Sequence, residues 1–114
     1  MANRIAEHIV TRLEPIITPY GMDCEQQALP YCVYEMANEA VINSKSGVVG
    51  YSLDATVYLA AATEDHAQQL KERVLQALLL RDNEFIINIT AMQPAFAEEQ
   101  WLWKIDFNIT QTDN

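Results

Sequence analysis

The feature that most constrains the fold is a strand pattern followed directly by a helix pattern. In residues 51–59, larger apolar side chains alternate with mostly polar ones, and this period of two is typical of a half-buried strand. From Thr63 to Leu80 the apolar residues recur at helical spacing, with Thr63 as the expected N-cap. The predicted buried stripe consists of Ala67, Leu70, Val74, Ala77 and Leu78. The pattern therefore predicts a helix packed on one face of a sheet.

The other segments complete an α+β pattern. A first helix is predicted over residues 3–13 with Asn3 as its N-cap, and residues 15–30 read as a connection close to the core. The predicted strands are Tyr31–Ala40, Gly50–Ala61, Glu84–Gln93 and Trp101–Thr110, and residues 94–100 are predicted to be a connection. In the first strand, the set expected to point inward is Cys32, Tyr34 and Met36. We expect a two-layer sandwich in the order α-β-β-α-β-β, with a mostly antiparallel four-stranded sheet and both helices on one face.

The segment between the first two strands is the candidate assembly surface. Its Asn-Ser-Lys-Ser-Gly sequence is a strong turn signal between flanking β-branched residues. Two interpretations stay open: the strands extend into the segment as a protruding hairpin, or it is an ordinary surface loop. The candidate interface residues are Ile42, Asn43, Ser44, Lys45, Ser46, Val48 and Val49.

Composition limits the classes of function. The 114 residues are enough for one domain, 1–114, and the formal net charge of −9 disfavours sequence-independent DNA binding. We expect a soluble intracellular protein, because no signal peptide or membrane-spanning stretch is visible. Cys24 and Cys32 lack metal-ligand spacing; a disulfide is possible, and a buried free thiol at Cys32 is the favoured interpretation.

No constellation of catalytic residues is visible, so we expect neither an enzyme nor a cofactor or metal site. His8 and His66 are interpreted as surface histidines on helices, and no glycine-rich phosphate loop occurs. The acidic pairs at 64–65 and 98–99 suit a helix start and a solvated turn. Trp101 and Trp103 can stack on bases or sugars, but their strand pattern favours the core or a patch covered by a neighbour.

One stretch also carries a family resemblance. Leu29-Pro30-Tyr31-Cys32-Val33-Tyr34-Glu35 resembles the Leu-Pro-Tyr-Val-Val-Tyr opening strand of the tail completion or tail terminator proteins of long-tailed phages and prophages. The resemblance continues through the polar segment, the alternating strand 51–59 and the alanine- and leucine-containing helix 63–80, and so covers most of the chain. Glu35 and Glu39 add acidic character whose place in the family pattern is open.

The resemblance implies a structural protein of the phage tail. Such a protein would form a homo-oligomeric ring, typically hexameric, that caps the tail tube and contacts the head–tail connector. It would be present in the host cytoplasm during assembly and then in the virion tail. We expect no specific nucleic-acid or membrane binding, and we hypothesise an acidic lumen through which DNA slides. The alternatives are a small intracellular α+β domain that binds a ligand or peptide on its tryptophan face, and a subunit that modulates a separate enzyme.

Overall fold

The protein is a two-layer α+β structure with five strands rather than the expected four. The computed structural model describes residues 2–22, 25 and 28–112. Its helices are α1 (Ile5–Leu13) and α2 (Glu64–Leu78). Its strands are β1 (Pro19–Gly21), β2 (Tyr31–Ser44), β3 (Gly47–Ala61), β4 (Phe85–Ala97) and β5 (Gln100–Thr112). The α+β class is confirmed.

The sheet has the strand order β1-β2-β3-β5-β4 and is mixed. All neighbouring strands are antiparallel except β1, which pairs in parallel with residues 32–34 of β2. The prediction of a four-stranded antiparallel sheet is therefore wrong at this edge. The physical reason is that β1 has three residues and begins with a proline, which gives no alternating pattern to read.

Both helices cover the same face of the sheet. The predicted stripe of α2 is buried in full, as are Ile5, Ile9 and Leu13 of α1. They pack on buried strand residues that share this face through the β3–β5 register. These strand residues are Leu53, Ala55, Val57, Leu59, Ile105, Phe107 and Ile109. The opposite face of the sheet carries no helix in the described part of the chain, and we call it the open face.

Several boundaries and one cap differ from the predictions. Strands β2 and β3 extend through the segment 41–50, and β4 continues through the predicted connection to Ala97. Helix α2 begins as predicted, because the Thr63 side chain accepts a hydrogen bond from the His66 backbone N–H at 3.2 Å. The N-cap of α1 is Arg4 rather than Asn3, although Asn3 Oδ1 accepts the Ile5 N–H at 3.0 Å.

The inward set predicted for β2 is correct only near its start. Cys32 is fully buried, Tyr34 is half-buried, and Met36 is 39% exposed in an open pocket that it lines with Asn3 and Ala6. A bulge follows, where Asn38 has a φ of 56° and the register shifts between Ala37 and Ala40. The second half of β2 is therefore set by pairing with β3 rather than by burial.

Candidate functional site

The segment predicted as an assembly surface is a β-paired hairpin. We call residues Ile42–Val49 the arm. Its strands are joined by the pairs Asn43–Val48 and Ser44–Gly47. In the described residues β5 pairs with β3 only from Gly50 onward, so the arm projects beyond the rest of the sheet. Of the two interpretations left open by the sequence, the structure has the hairpin, and all seven candidate residues lie in it.

The arm combines exposed apolar side chains with a single charge. Val48 and Val49 are 40% and 36% exposed, and Ile42 is half-buried. Lys45 at the tip is the only charged residue between positions 40 and 50. The arm thus offers two valines and an ammonium group on a body that otherwise carries a large negative charge.

The turn of the arm is fixed by local hydrogen bonds. The Ser44 side-chain oxygen accepts the Ser46 N–H at 3.1 Å and donates to the Gly47 carbonyl at 3.4 Å. Gly47 has a backbone φ of 113°, which residues other than glycine rarely adopt. Serine and glycine at these positions therefore explain why the strands reverse here.

The base of the arm is tightly packed. A Cβ atom on Gly50 would lie 2.5 Å from the Gln111 carbonyl oxygen and 3.2 Å from Ile42 Cδ1. The Gln111 side chain is 1% exposed and fully hydrogen-bonded. It accepts the Arg4 backbone N–H at 2.8 Å and donates to Ala2 O and Glu84 Oε2 at 2.9 and 3.0 Å. This buried amide links the N-terminal segment to the end of the sheet from which the arm projects.

A second surface lies near the other end of the sheet, and we call it the aromatic cleft. It encloses about 330 Å³ between the start of α2 and the β4–β5 hairpin. Phe96 is 59% exposed, and its ring centroid is 4.6 Å from that of Trp101. The principal lining residues are Glu64, Ala67, Gln68, Pro94, Phe96, Trp101 and Trp103.

The charges around the aromatic cleft are mixed, with acidic groups at its edges. Lys71 Nζ lies 4.3 Å from the Trp103 ring centroid, in cation–π geometry. Glu64 lines the opening, and Glu98–Glu99 form the turn that follows Phe96. A cationic or amphipathic group would therefore meet both aromatic faces and carboxylates.

The open face carries ordered carboxylates. Asp54 accepts hydrogen bonds from Asn38 and Asn108 at 2.9 and 3.2 Å, and these bonds hold the pKa of Asp54 below its ordinary value. Asp106 accepts the Thr56 hydroxyl at 2.7 Å, and Glu35 accepts the Tyr58 hydroxyl at 3.0 Å. The part of this face formed by β2, β3 and β5 around Asp54 and Asp106 is thus polar and acidic, with side chains fixed by one another.

Reactive groups are sparse in the residues that the structure describes. They include no group of three or more histidine, cysteine or acidic side chains placed to hold a metal. Cys32 is free and buried, and burial raises the pKa of its thiol to about 12. Cys24, the other cysteine of the disulfide left open by the sequence, lies outside the described residues. His66 is exposed as predicted, whereas His8 is half-buried and stacks on Phe85 at 3.9 Å between ring centroids.

The helices and the comparisons with known proteins were also considered. No helix in the described ranges has both the length and the apolar character needed to cross a membrane. No family model matches the chain, and a search of curated proteins finds no match.

Sequence reasoning located the arm and named the tryptophan face as a possible binding surface, but it did not predict the opposite wall of the aromatic cleft. The alternation at Trp101 and Trp103 was a usable signal, since a patch covered by a neighbour was one of its interpretations. The other wall of the cleft, Pro94 and Phe96, was assigned to a connection because proline disfavours the interior of a sheet. On an edge strand such as β4 proline is tolerated, and the strand continues through Pro94.

Proposed function

We propose that this protein is a structural tail component of a phage or prophage, similar to tail terminator or completion subunits. Six copies would form a ring that caps the tail tube and joins it to the head connector. The observation that carries the proposal is the arm, a paired hairpin with exposed valines that lies outside the hydrophobic core. The protein would act through contacts rather than catalysis, first in the host cytoplasm and then in the virion tail.

In the isolated chain, the arm contributes no residue to the hydrophobic core. Ordering a residue costs on the order of 1–2 kcal/mol of backbone entropy. The exposed Val48 and Val49 on β3 recover little of that cost, whereas covering them with a neighbouring subunit removes apolar surface from water. An ordered, apolar arm beyond the core therefore favours a protein that assembles.

The edges of the sheet support the same proposal. Strand β4 is an edge strand of 13 residues without a single charged side chain. Ile86, Met92 and Phe96 on it are 61%, 44% and 59% exposed. Natural proteins usually protect such edges with charge, because an open strand can pair with another chain. An uncharged edge suits a subunit whose neighbours cover it.

The acidic open face is compatible with a channel for DNA. Its carboxylates on Glu35, Asp54 and Asp106 outnumber the one ammonium group, Lys104, that the strand register places on this face. Like charge would prevent the phosphate backbone from adhering to such a wall. We assign the open face to the lumen of the proposed ring.

The test is electron microscopy of the purified protein, alone and mixed with tail tubes of long-tailed phages. We expect closed rings in solution or a ring-shaped density at the end of the tube. A protein that stays monomeric at high concentration and leaves tube ends bare would contradict the proposal.

A shortened arm gives the sharper comparison. Replacing Asn43–Val48 by Asn-Gly retains the base at Gly50 and supplies a sequence that suits a short hairpin loop. We expect an unchanged circular dichroism spectrum and a similar melting temperature, together with loss of ring formation. Lys45→Arg, which keeps the charge and length of the arm, is the matched control and should assemble normally.

The aromatic cleft favours one other function, the binding of a small ligand or peptide. A concave site with aromatic walls and a few polar groups is the usual form of such sites. Thermal-shift screening with proline-rich peptides and small aromatic cations tests it, with Phe96→Ala as the control. Stabilisation of the native chain that disappears in the variant, without any assembly, would favour this function over the ring.

A further inference from the structure

We propose that the arm of one copy docks in the aromatic cleft of the next copy, so that each subunit contributes a donor and an acceptor. This inference rests on the proposed function, because it names the contact through which the ring would form. It joins the two surfaces whose exposed apolar side chains lie at opposite ends of the sheet.

The arm and the aromatic cleft cannot meet within one chain. Strand β3 begins in the arm at Gly47 and ends at Ala61, which pairs with Trp101 in the cleft. Its 15 residues span roughly 45 Å at the rise of an extended strand. The molecule measures 53 Å along its longest axis, so the two surfaces lie near its two ends. Any contact between them must join two copies.

The chemistry of the two surfaces is complementary. Apolar Val48 and Val49 match a cleft whose walls include Pro94, Phe96 and Trp101. Lys45, the only charge on the arm, matches the carboxylates beside the cleft at Glu64 and on the Glu98–Glu99 turn. Two copies that each carry a net charge of −9 repel one another overall. A contact between them is therefore most favourable where the cationic arm of one meets the acidic border of the other.

The symmetry of this contact fits a ring. When a pair of copies shares one such contact, the contact is heterologous and leaves a free arm and a free cleft on the pair. Heterologous contacts generate a closed ring when the rotation between copies closes, and a filament when it does not. An isologous dimer, by contrast, would require two antiparallel copies to place each arm in the cleft of the other, and it would stop at two copies.

Carbodiimide cross-linking provides the direct test, because it joins a lysine to a carboxylate in contact without a spacer. Equal amounts of ordinary and ¹⁵N-labelled full-length protein are mixed at high concentration, cross-linked and analysed by mass spectrometry. We expect mixed-isotope links from Lys45 to Glu64, Glu98 or Glu99. Lys45→Arg should remove the link and retain assembly, and Phe96→Ala should weaken self-association by about 30-fold, as for an aromatic anchor residue.

A complementation experiment separates this contact from any other interface. The shortened-arm variant keeps its cleft, and Phe96→Glu keeps its arm, so each alone should remain monomeric. Their equimolar mixture should form heterodimers and stop there. Homodimers of either variant, or Lys45 links only to acidic residues away from the cleft, would overturn the proposal.

The outcomes also separate this contact from the proposed function. Arm-to-cleft links in solution with tube ends left bare would retain the contact and reject the tail role. Rings on tube ends without any Lys45 link to the cleft would reject the contact and retain the tail role. Binding of a proline-rich peptide in the cleft with no self-association would reject both in favour of the ligand-binding alternative.

Discussion

The two long hairpins of the sheet end at opposite ends of the molecule and reverse direction by different means. In the β2–β3 hairpin, Ser44 and Gly47 supply the turn hydrogen bonds and the positive φ. In the β4–β5 hairpin, Glu98 and Glu99 both adopt positive φ, at 53° and 62°, although neither is a residue type that favours it. The first hairpin is specified by its turn, and the second is imposed by the strands on either side.

The strands on either side of Glu98–Glu99 can impose that turn because they are paired without a register shift from Ala91 to the turn. Strand β4 pairs with β5 from Phe85 to Ala97, and an aromatic pair of Phe96 and Trp101 stands next to the turn. Aromatic cross-strand pairs contribute up to about 1 kcal/mol each. The arm lacks such support and depends instead on its turn and its base.

The largest expected effect comes from breaking the base of the arm. Gly50→Ala places a Cβ atom 2.5 Å from the Gln111 carbonyl oxygen, and a backbone atom cannot move aside cheaply. We expect a loss of about 3 kcal/mol in the free energy of unfolding, measured by urea titration. Gly47→Ala is the control, because a Cβ atom there meets open space and only the positive φ opposes it. A smaller loss for Gly50→Ala than for Gly47→Ala would contradict this account.

The difference between the hairpins also explains how much of the fold the sequence could predict. The apolar stripe of α2, its Thr63 cap and the alternation in β3 and β5 were read correctly, because each pattern reflects burial against the same core. The five-stranded sheet was not predicted, since β1 is too short to show a period. The continuation of β4 to Ala97 was missed because Pro94 and Glu98–Glu99 resemble a connection.

The two candidate surfaces also differ in whether a local sequence pattern reveals them. The arm was found because turn residues and β-branched neighbours are local signals. The tryptophan face was named as a possible binding surface, but its other walls were not predicted, because Phe96 and the start of α2 join it only through the β4–β5 register and the position of the helix. Which surface a second copy covers depends on the shapes of both partners, and a single sequence does not encode that in any local pattern.

The next effect in size concerns the buried amide at the arm end of the sheet. Gln111→Ala removes the acceptor of the Arg4 backbone N–H and the donor to Ala2 O. Because a buried polar group left unpaired carries its full desolvation cost, we expect a loss of about 2 kcal/mol in unfolding free energy. Gln93→Ala, at an exposed position on β4, should change it by about 0.5 kcal/mol or less. Equal effects of the two variants would mean that the buried amide of Gln111 contributes no more to the free energy of unfolding than an exposed one does.

A stabilising variant tests the claim that the β4–β5 turn is imposed. Replacing Glu98–Glu99 by Asn-Gly supplies residues that favour positive φ, and we expect a gain of about 1 kcal/mol in thermal or urea unfolding. The matched change in the arm is Lys45–Ser46 to Asn-Gly, where neither original residue has a positive φ. It should bring no gain. A similar gain in both hairpins would remove the distinction between them.

The two ends of the sheet also differ in the contact between a basic group and an aromatic ring. Only the contact at the arm end should make stability depend on pH between 5 and 7.5. At the cleft end, charged Lys71 lies over Trp103, whereas at the arm end His8 stacks on Phe85. Burial lowers the pKa of His8 below 6.5, and the charge of Arg12 adds to the shift, opposed by Asp82 and Glu84. The unfolded chain therefore binds a proton at His8 more readily than the folded chain does.

The sign of the pH dependence follows from linkage. The stability that neutral His8 contributes is fully present above pH 6.5 and is lost as the pH falls from 6.5 through the lowered pKa. We expect the melting temperature to decrease between pH 7.5 and 5, and to decrease less in His8→Gln, which has no proton to bind. Comparing the two proteins at pH 7.5 removes the packing effect of the substitution. The measurement stays above pH 5 because Asp82, whose pKa is lowered chiefly by a backbone hydrogen bond from Glu84, loses its contribution only at lower pH. A steeper decrease in His8→Gln than in the native chain would show that the stacked imidazole accepts its proton without cost.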